Sequence, residues 1–365
     1  MCTYVPTQVD ESCQYVPIID VLKLVLSSKD IRKVITEEKD SSDNMLGSFR
    51  DGQHFKNHSF FQKHKDAIRL RLYYDELEIV NPLGSKTGVH KIGSFYYQIA
   101  NLPAHVNSEL SSIHVLLLFC YTDIQKYGFS KVLSPFLHDL SKLESDEGIS
   151  LTFENGDSFI LRASLESFCV DGLAIHDVFG LLSPKANKFC RLCLYSRHDL
   201  SSKSLNLGQE RTEQLFNEHL DLLKRTNFAD ATKTRNGIKG PCCLNESKYF
   251  HISYNKVFDI MHDFLCGLYP MIVKLVLYEY VVIQKIFDTA YLNGKISLFN
   301  YGYLENKNKP SANFTDAILS RKEHNLSQKA MQIWCLTRSF PFLLAEKVNS
   351  EDNHMKLILY LLKMS

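Results

Sequence analysis

The chain has 365 residues, 45% hydrophobic and 12% aromatic, enough apolar material for roughly two to three domain-sized units and too much for bulk disorder. A formal net charge of +1 excludes the strongly basic profile of a free-standing DNA-binding module without excluding a nucleic-acid partner. No basic-then-apolar leader opens the sequence, and ten cysteines in that context point to an intracellular, reducing compartment with thiols or metal ligands rather than disulfides.

In chain order, apolar residues at Ile18, Val21, Leu22, Val25 and Leu26, then Ile31, Val34 and Ile35, predict two short helices broken at Ser27-Ser28. The polar stretch Glu37 to Asp43 reads as a linker. Three strands are expected next: an alternating run from Ile68 that ends at Asp75, Val89 to Ala100, and Ile113 to Tyr121, with a turn at Asn81 to Lys86. Together they can form an antiparallel meander. A helix over Lys131 to Glu144 precedes a hairpin of Ile149 to Phe153 and Ser158 to Leu161 around Asn155-Gly156. Ser167 to Asp171 reads as a buried strand ending in a carboxylate. Helices are expected over Leu173 to Leu182 and Thr212 to Arg225, with Thr226 to Gly240 as loop. A long helix begins near Asp259, and another covers Ser327 to Val348 with a kink at Pro341. The most apolar run, Phe264 to Ile283, holds Pro270, Lys274 and Glu279, so it reads as a core helix and no membrane span is expected. The order of elements predicts a mixed α/β arrangement around one sheet.

Three constellations could carry chemistry. Asp75 and Asp171 each follow a strand-like run; carboxylates on adjacent strand ends can hold divalent ions for phosphoryl transfer, although Asp is also common in turns. Cys190-Arg-Leu-Cys193 is a lone CxxC, open to zinc, redox or buried-thiol readings, with His251 and His262 as candidates to complete a Cys2His2 set. Asp259-Ile-Met-His262-Asp263 puts an acid and an imidazole on one helical face, and an N-capping Asp is the simpler explanation of Asp259. His54, His58 and His64 read as surface residues, and the modestly basic stretch Lys63 to Arg71 as a solvated face, with contact to DNA the alternative.

The stretches FRDGQHFKNHSFF (49–61), LRLYYDELEIVNPLGSKTGVHKIGSFYY (70–97), LESDEGISL (143–151), FCRLC (189–193), KYFHISYNKVFDIMHDF (248–264) and WCLTRSFPFLL (334–344) resemble transposase-derived proteins with a DDE core, similar to the CACTA–Mirage–Chapaev type. The likeness extends from about Tyr15 to the end of the chain. It implies an RNase H-like core, with the first acid on the first strand and the second ending the fourth, where Asp75 and Asp171 fall. It also implies a CxxC between the second and third acids, hence zinc on Cys190, Cys193, His262 and, more loosely, His251. Four divisions follow: an N-terminal helical segment (1–65), the RNase H-like sheet core (66–185), a CxxC-containing, zinc-binding insertion (186–258), and C-terminal helices (259–365) expected to be cut short.

One position departs from the pattern. Relatives read Glu-Gly where this chain reads Cys266-Gly267, and a thiolate is a poor ligand for Mg²⁺ or Mn²⁺, which want hard oxygen. On α-helical geometry neither Asp259 nor Asp263 reaches the same point. The expected function is therefore Mg²⁺- or Mn²⁺-dependent DNA strand cleavage and transfer by ancestry. The alternative is a catalytically inactive remnant that binds DNA or protein. Transposon-end DNA is the expected partner, the nucleus the expected compartment, and a homo-oligomer is compatible with both readings.

Overall fold

The alternating run from Ile68 forms an eleven-residue strand around which the sheet is built. The computed structural model describes residues 12–37, 46–79, 91–201, 208–255 and 257–364. The expected linker at Glu37 to Asp43, apart from Glu37 itself, and the turn at Asn81 to Lys86 lie outside these residues. In chain order the strands are β1 Gln14–Tyr15, β2 Ile68–Glu78, β3 Lys91–Ile99, β4 His114–Cys120, β5 Ile149–Thr152, β6 Ser158–Leu161 and β7 Ala163–Cys169. The expected meander is present: β2, β3 and β4 pair antiparallel. β7 pairs parallel to β2, giving a five-stranded mixed sheet in the order β1-β4-β3-β2-β7. The two residues of β1 were not foreseen; so short a strand has no periodicity of its own, and its place is set by pairing with Leu117 and Leu118.

Three local expectations shift. β2 does not stop at Asp75 but continues to Glu78, because β3 keeps pairing with it as far as Lys91. The helix after the meander is Tyr121–Leu143 rather than Lys131 to Glu144; Gly128, at φ 75°, interrupts its helical backbone and masks the first turns from a periodicity reading. A helix, Asp230–Asn236, sits within the segment expected to be loop, and ends at Gly237 in the left-handed conformation. The hairpin at Asn155-Gly156 forms as expected, with Gly156 at φ 83°, and stands as a separate pair, β5–β6.

The chain divides into two compact units, Met1–Val257 and Phe258–Ser365. In the first, alternation sends Leu70, Leu72 and Tyr74 to one face of β2, where they are buried against the helix Tyr121–Leu143; the rings of Tyr74 and Phe129 meet edge to face at 5.5 Å. Each large side chain buried this way contributes about 1.5–3 kcal/mol. The same core takes in Ile18, Leu22 and Ile35 from the N-terminal helices and Phe216, Leu223 and Ile252 from beyond the CxxC. The helical segment, the sheet and the CxxC region therefore share one hydrophobic core.

The second unit is helical. Ile260–Leu268 is π-helical, Tyr269–Tyr278 is α-helical and Glu279–Ile283 is again π-helical. By length and composition this continuous run could cross a membrane, a property it shares with core helices of soluble proteins. Here Tyr269, Val273, Val276, Leu277 and Tyr280 are buried against Ala330–Leu344 and Asn353–Met364. Lys274 is buried too, its ammonium donating to the carbonyls of Arg321 and Glu323, which satisfies the charge inside an apolar helix.

Candidate functional site

The parallel pairing of β2 with β7 ends at Tyr73 opposite Cys169. Asp75 and Asp171 each lie two residues farther along, so both residues fall just beyond the last paired couple at the same end of adjacent strands, whose axes run about 4.8 Å apart. Asp75 is still within β2, opposite Ser94 of β3, and exposed. Asp171 caps the helix Gly172–Val178: its Oδ1 accepts from the backbone amides of Leu173 at 3.0 Å and Ala174 at 2.7 Å. Asp75 Oδ1 accepts from the Glu76 amide at 2.8 Å. Among the described residues the second carboxylate oxygen of each has no partner, and no Lys or Arg forms an ion pair with either.

The polar face of the sheet leads toward this pair. A bulge between Leu70 and Arg71 makes Glu166 the extra residue of β7 and turns it onto the face that carries Arg69, Arg71 and Tyr73. Glu166, 1% exposed, accepts from Arg69 Nε at 2.9 Å and Arg71 Nη2 at 2.7 Å. Tyr73 stacks on Tyr96 at 5.1 Å and donates to Gln98 at 2.9 Å. Burial, then the Asp75 charge, holds the Tyr96 phenol above its ordinary range. Burial also pushes the Cys169 thiol up to about 11, so it stays protonated beside Tyr73. The stretch Lys63 to Arg71 is a solvated face only at its start: Lys63 and Lys65 are exposed, Lys63 and His64 pair with Asp146, and Arg69 is buried. Local pattern could not have identified Glu166 as the partner, because 97 residues separate it from Arg69.

Cys190 and Cys193 do come together, with Sγ atoms 3.4 Å apart and the Leu192 amide donating to Cys190 Sγ at 3.4 Å. Burial raises the Cys193 thiol, opposed by the backbone amide of Tyr195. The buried Arg211 braces the turn, donating from Nε to the Cys190 carbonyl at 2.8 Å and from Nη1 to Asn236 at 2.9 Å. Gly237 lets the arginine in; a Cβ there would lie 2.5 Å from its Nη2. Among the described residues no group of three or more His, Cys, Asp or Glu side chains is placed to hold a metal. His251 is buried with its ring edge-on to Phe216 at 5.6 Å, its Nδ1 accepting from the Ser253 amide. His262 belongs to the second unit. The two sulfurs thus supply half of a tetrahedral set, and the described residues do not fit a closed four-ligand zinc site.

In the second unit Asp259 acts as an N-cap, accepting from the His262 amide at 3.0 Å, and its other oxygen meets His262 Nδ1 at 2.5 Å. That contact fixes the ring and leaves Nε2 of the half-exposed imidazole on the outer side. Cys266 is exposed. Because Ile260–Leu268 is π-helical, α-helical phase does not relate Cys266 to Asp259, His262 or Asp263. His54, His58 and His64 are not surface residues: His58 is 7% exposed and its ring stacks on Phe61 at 4.3 Å, while the His64 side chain is 9% exposed. Their neighbours Phe55, Phe60 and Phe61 were the available signal, since those rings must be buried and carry the histidines in with them.

No family model matches the chain, and no curated protein matches it significantly.

Proposed function

We propose that the first unit is an RNase H-like core descended from a cut-and-paste DNA transposase, with Asp75 and Asp171 as its divalent-ion ligands. The observation that carries this reading is the equal offset of Asp75 and Asp171 beyond the Tyr73–Cys169 couple of two adjacent strands. The strand plan supports it. Set aside the β1 edge and the separate hairpin, and the sheet is a three-stranded meander, a helix, and a fourth strand parallel to the first. The first acid then lies on the first strand and the second just past the fourth.

The chemistry of the donors fits Mg²⁺ or Mn²⁺. These ions bind through one or two carboxylates, keep several waters, and take further oxygens from substrate phosphates. Among the described residues no Lys or Arg pairs with either carboxylate, which leaves both open to a divalent ion. Bound there, such an ion supplies an activated oxygen nucleophile and neutralises charge on the reacting phosphate. The chain's own contribution is to hold the pair: Asp75 by strand pairing on β3, Asp171 by capping a helix whose N-terminus favours negative charge. DNA is the partner on this reading, and the nucleus the compartment.

Cys266 favours a second reading, in which the core binds DNA without cutting it, because a thiol stands where the resemblance calls for the third carboxylate. Mn²⁺-dependent cleavage of DNA by the full chain, beside Asp171→Asn and Cys266→Glu, separates the two. Cleavage lost in Asp171→Asn supports a working site. Cleavage that appears only with Cys266→Glu supports the silent core. A folded protein that neither binds Mn²⁺ nor cleaves in any of the three forms would overturn both.

A further inference from the structure

A cavity of about 760 Å³ opens in the first unit, between the short helices Gln53–Asn57 and Ser59–Lys63 and the segment 245–255. That volume lies within the roughly 300–1,000 Å³ of small-molecule sites. None of its lining is Asp75 or Asp171. His54, His58 and Asn255 line its inner side, and Asn57, Lys248 and Tyr254 its exposed rim.

The inner side is polar and built. Asn255 donates to His54 Nε2 and to the Glu166 carbonyl, each at 3.2 Å, and its own carbonyl accepts from Phe168, so the cavity is tied to β7. His58 is more than nine-tenths buried; both ring nitrogens are closed to solvent and, among the described residues, neither has a hydrogen-bond partner, with the backbone of Tyr249 and of His58 itself nearby. Burial keeps the His54 and His58 rings neutral, so neither brings a positive charge to the cavity, and His54 Nε2 is already engaged by Asn255.

The lining selects by chemistry. A polyphosphate calls for several cations, and the described lining has one, Lys248, together with one carboxylate, Glu213. A purely apolar ligand would leave the amides unpaired. A planar heteroaromatic ring with mixed donors and acceptors and a single phosphate meets both conditions. Aromatic faces are present for it: the Tyr254 ring, 52% exposed, and Tyr249, with Lys248 Nζ 5.0 Å from its centroid. Asn57 Oδ1 accepts from Gln53 at 3.0 Å, which leaves its amide hydrogens for a ligand.

We propose that this cavity binds one unpaired nucleotide, its base against Tyr254 and hydrogen-bonded by Asn57, its phosphate at Lys248. The occupant is either a base extruded from a strand or a free mononucleotide, since both present the same ring and phosphate.

The test is a fluorescence titration of the full chain with a single strand carrying 2-aminopurine, with 2-aminopurine mononucleotide, and with a fully paired duplex. The proposal expects saturable quenching by one of the first two at lower concentration than by the duplex; which of the two binds more tightly identifies the source. Tyr254→Ala, at an exposed position, should weaken binding about tenfold. Lys248→Ala should lower the salt dependence by about one ionic contact. Asp171→Asn should leave the titration unchanged, so failure of the carboxylate site and failure of this one are told apart. A folded protein that binds none of the ligands, or binds them equally well after Tyr254→Ala and Lys248→Ala, overturns the proposal.

Discussion

Asp171 holds two positions at once: it lies at the same offset as Asp75 beyond the β2–β7 pairing, and it caps the helix that follows β7. Its Oδ1 serves the helix while Oδ2 has no partner among the described residues, so the two roles can be separated by substitution.

Asp171→Ala removes both the cap and the charge, and should cost about 1 kcal/mol of stability together with Mn²⁺ affinity. Asp171→Asn keeps a capping oxygen, so its stability should stay within a few tenths of a kcal/mol of the parent while Mn²⁺ affinity still falls. Thermal unfolding and Mn²⁺ calorimetry on the two variants read this directly. Equal Mn²⁺ binding by Asp171→Asn and the parent would leave Asp171 as a cap only.

Glu166 is the buried charge that two arginines share. Glu166→Gln leaves Arg69 buried without its counter-charge and should destabilise the first unit by about 3–5 kcal/mol. Denaturant unfolding followed by a probe in the first unit checks it. A loss under about 1 kcal/mol would mean that water or backbone carbonyls already carry Arg69.

Burial lowers the His58 imidazole from its ordinary 6.5 to about 4. The unfolded chain therefore binds more protons between those values, so stability is full above about pH 6.5 and is lost as pH falls toward 4. The loss amounts to at most roughly 3 kcal/mol, and burial of His54 adds to it in the same direction. Replacing His58 by Phe, which can keep the stack on Phe61, should flatten the dependence. An unchanged slope from pH 7 to 4 in that variant would assign the acid sensitivity elsewhere.

Cys190 and Cys193 provide two sulfurs, and among the described residues nothing completes a tetrahedral set. Treatment with a zinc chelator should leave the melting of the first unit unchanged within about 1 °C, a shift smaller than a fraction of a kcal/mol would produce. Unfolding by the chelator would reveal a closed structural site, since such sites contribute folding energy outright.

Much of the architecture was legible in the order of residues because it is local. Period-two alternation marked β2, aromatic, β-branched and apolar runs marked β3 and β4, Asn155-Gly156 marked the hairpin, and the break at Ser27-Ser28 separated two helices. These signals lie within a few residues of one another, where sterics and turn chemistry act without help from the rest of the chain. Asp75 and Asp171 were candidates for the same reason, each following an apolar run.

Tertiary structure decided what those candidates mean. The parallel register that gives Asp75 and Asp171 their equal offset joins segments 96 residues apart through backbone hydrogen bonds, and those carry no side-chain signature. The same holds for the bulge that turns Glu166 toward Arg69 and Arg71, and for the burial of His58 under Phe61. It holds too for the π-helical start of the second unit, which removes the α-helical phase assumed around Cys266. A side chain's neighbours across a sheet depend on pairing and packing summed over the whole unit, so composition and spacing propose the residues and only the fold brings them together.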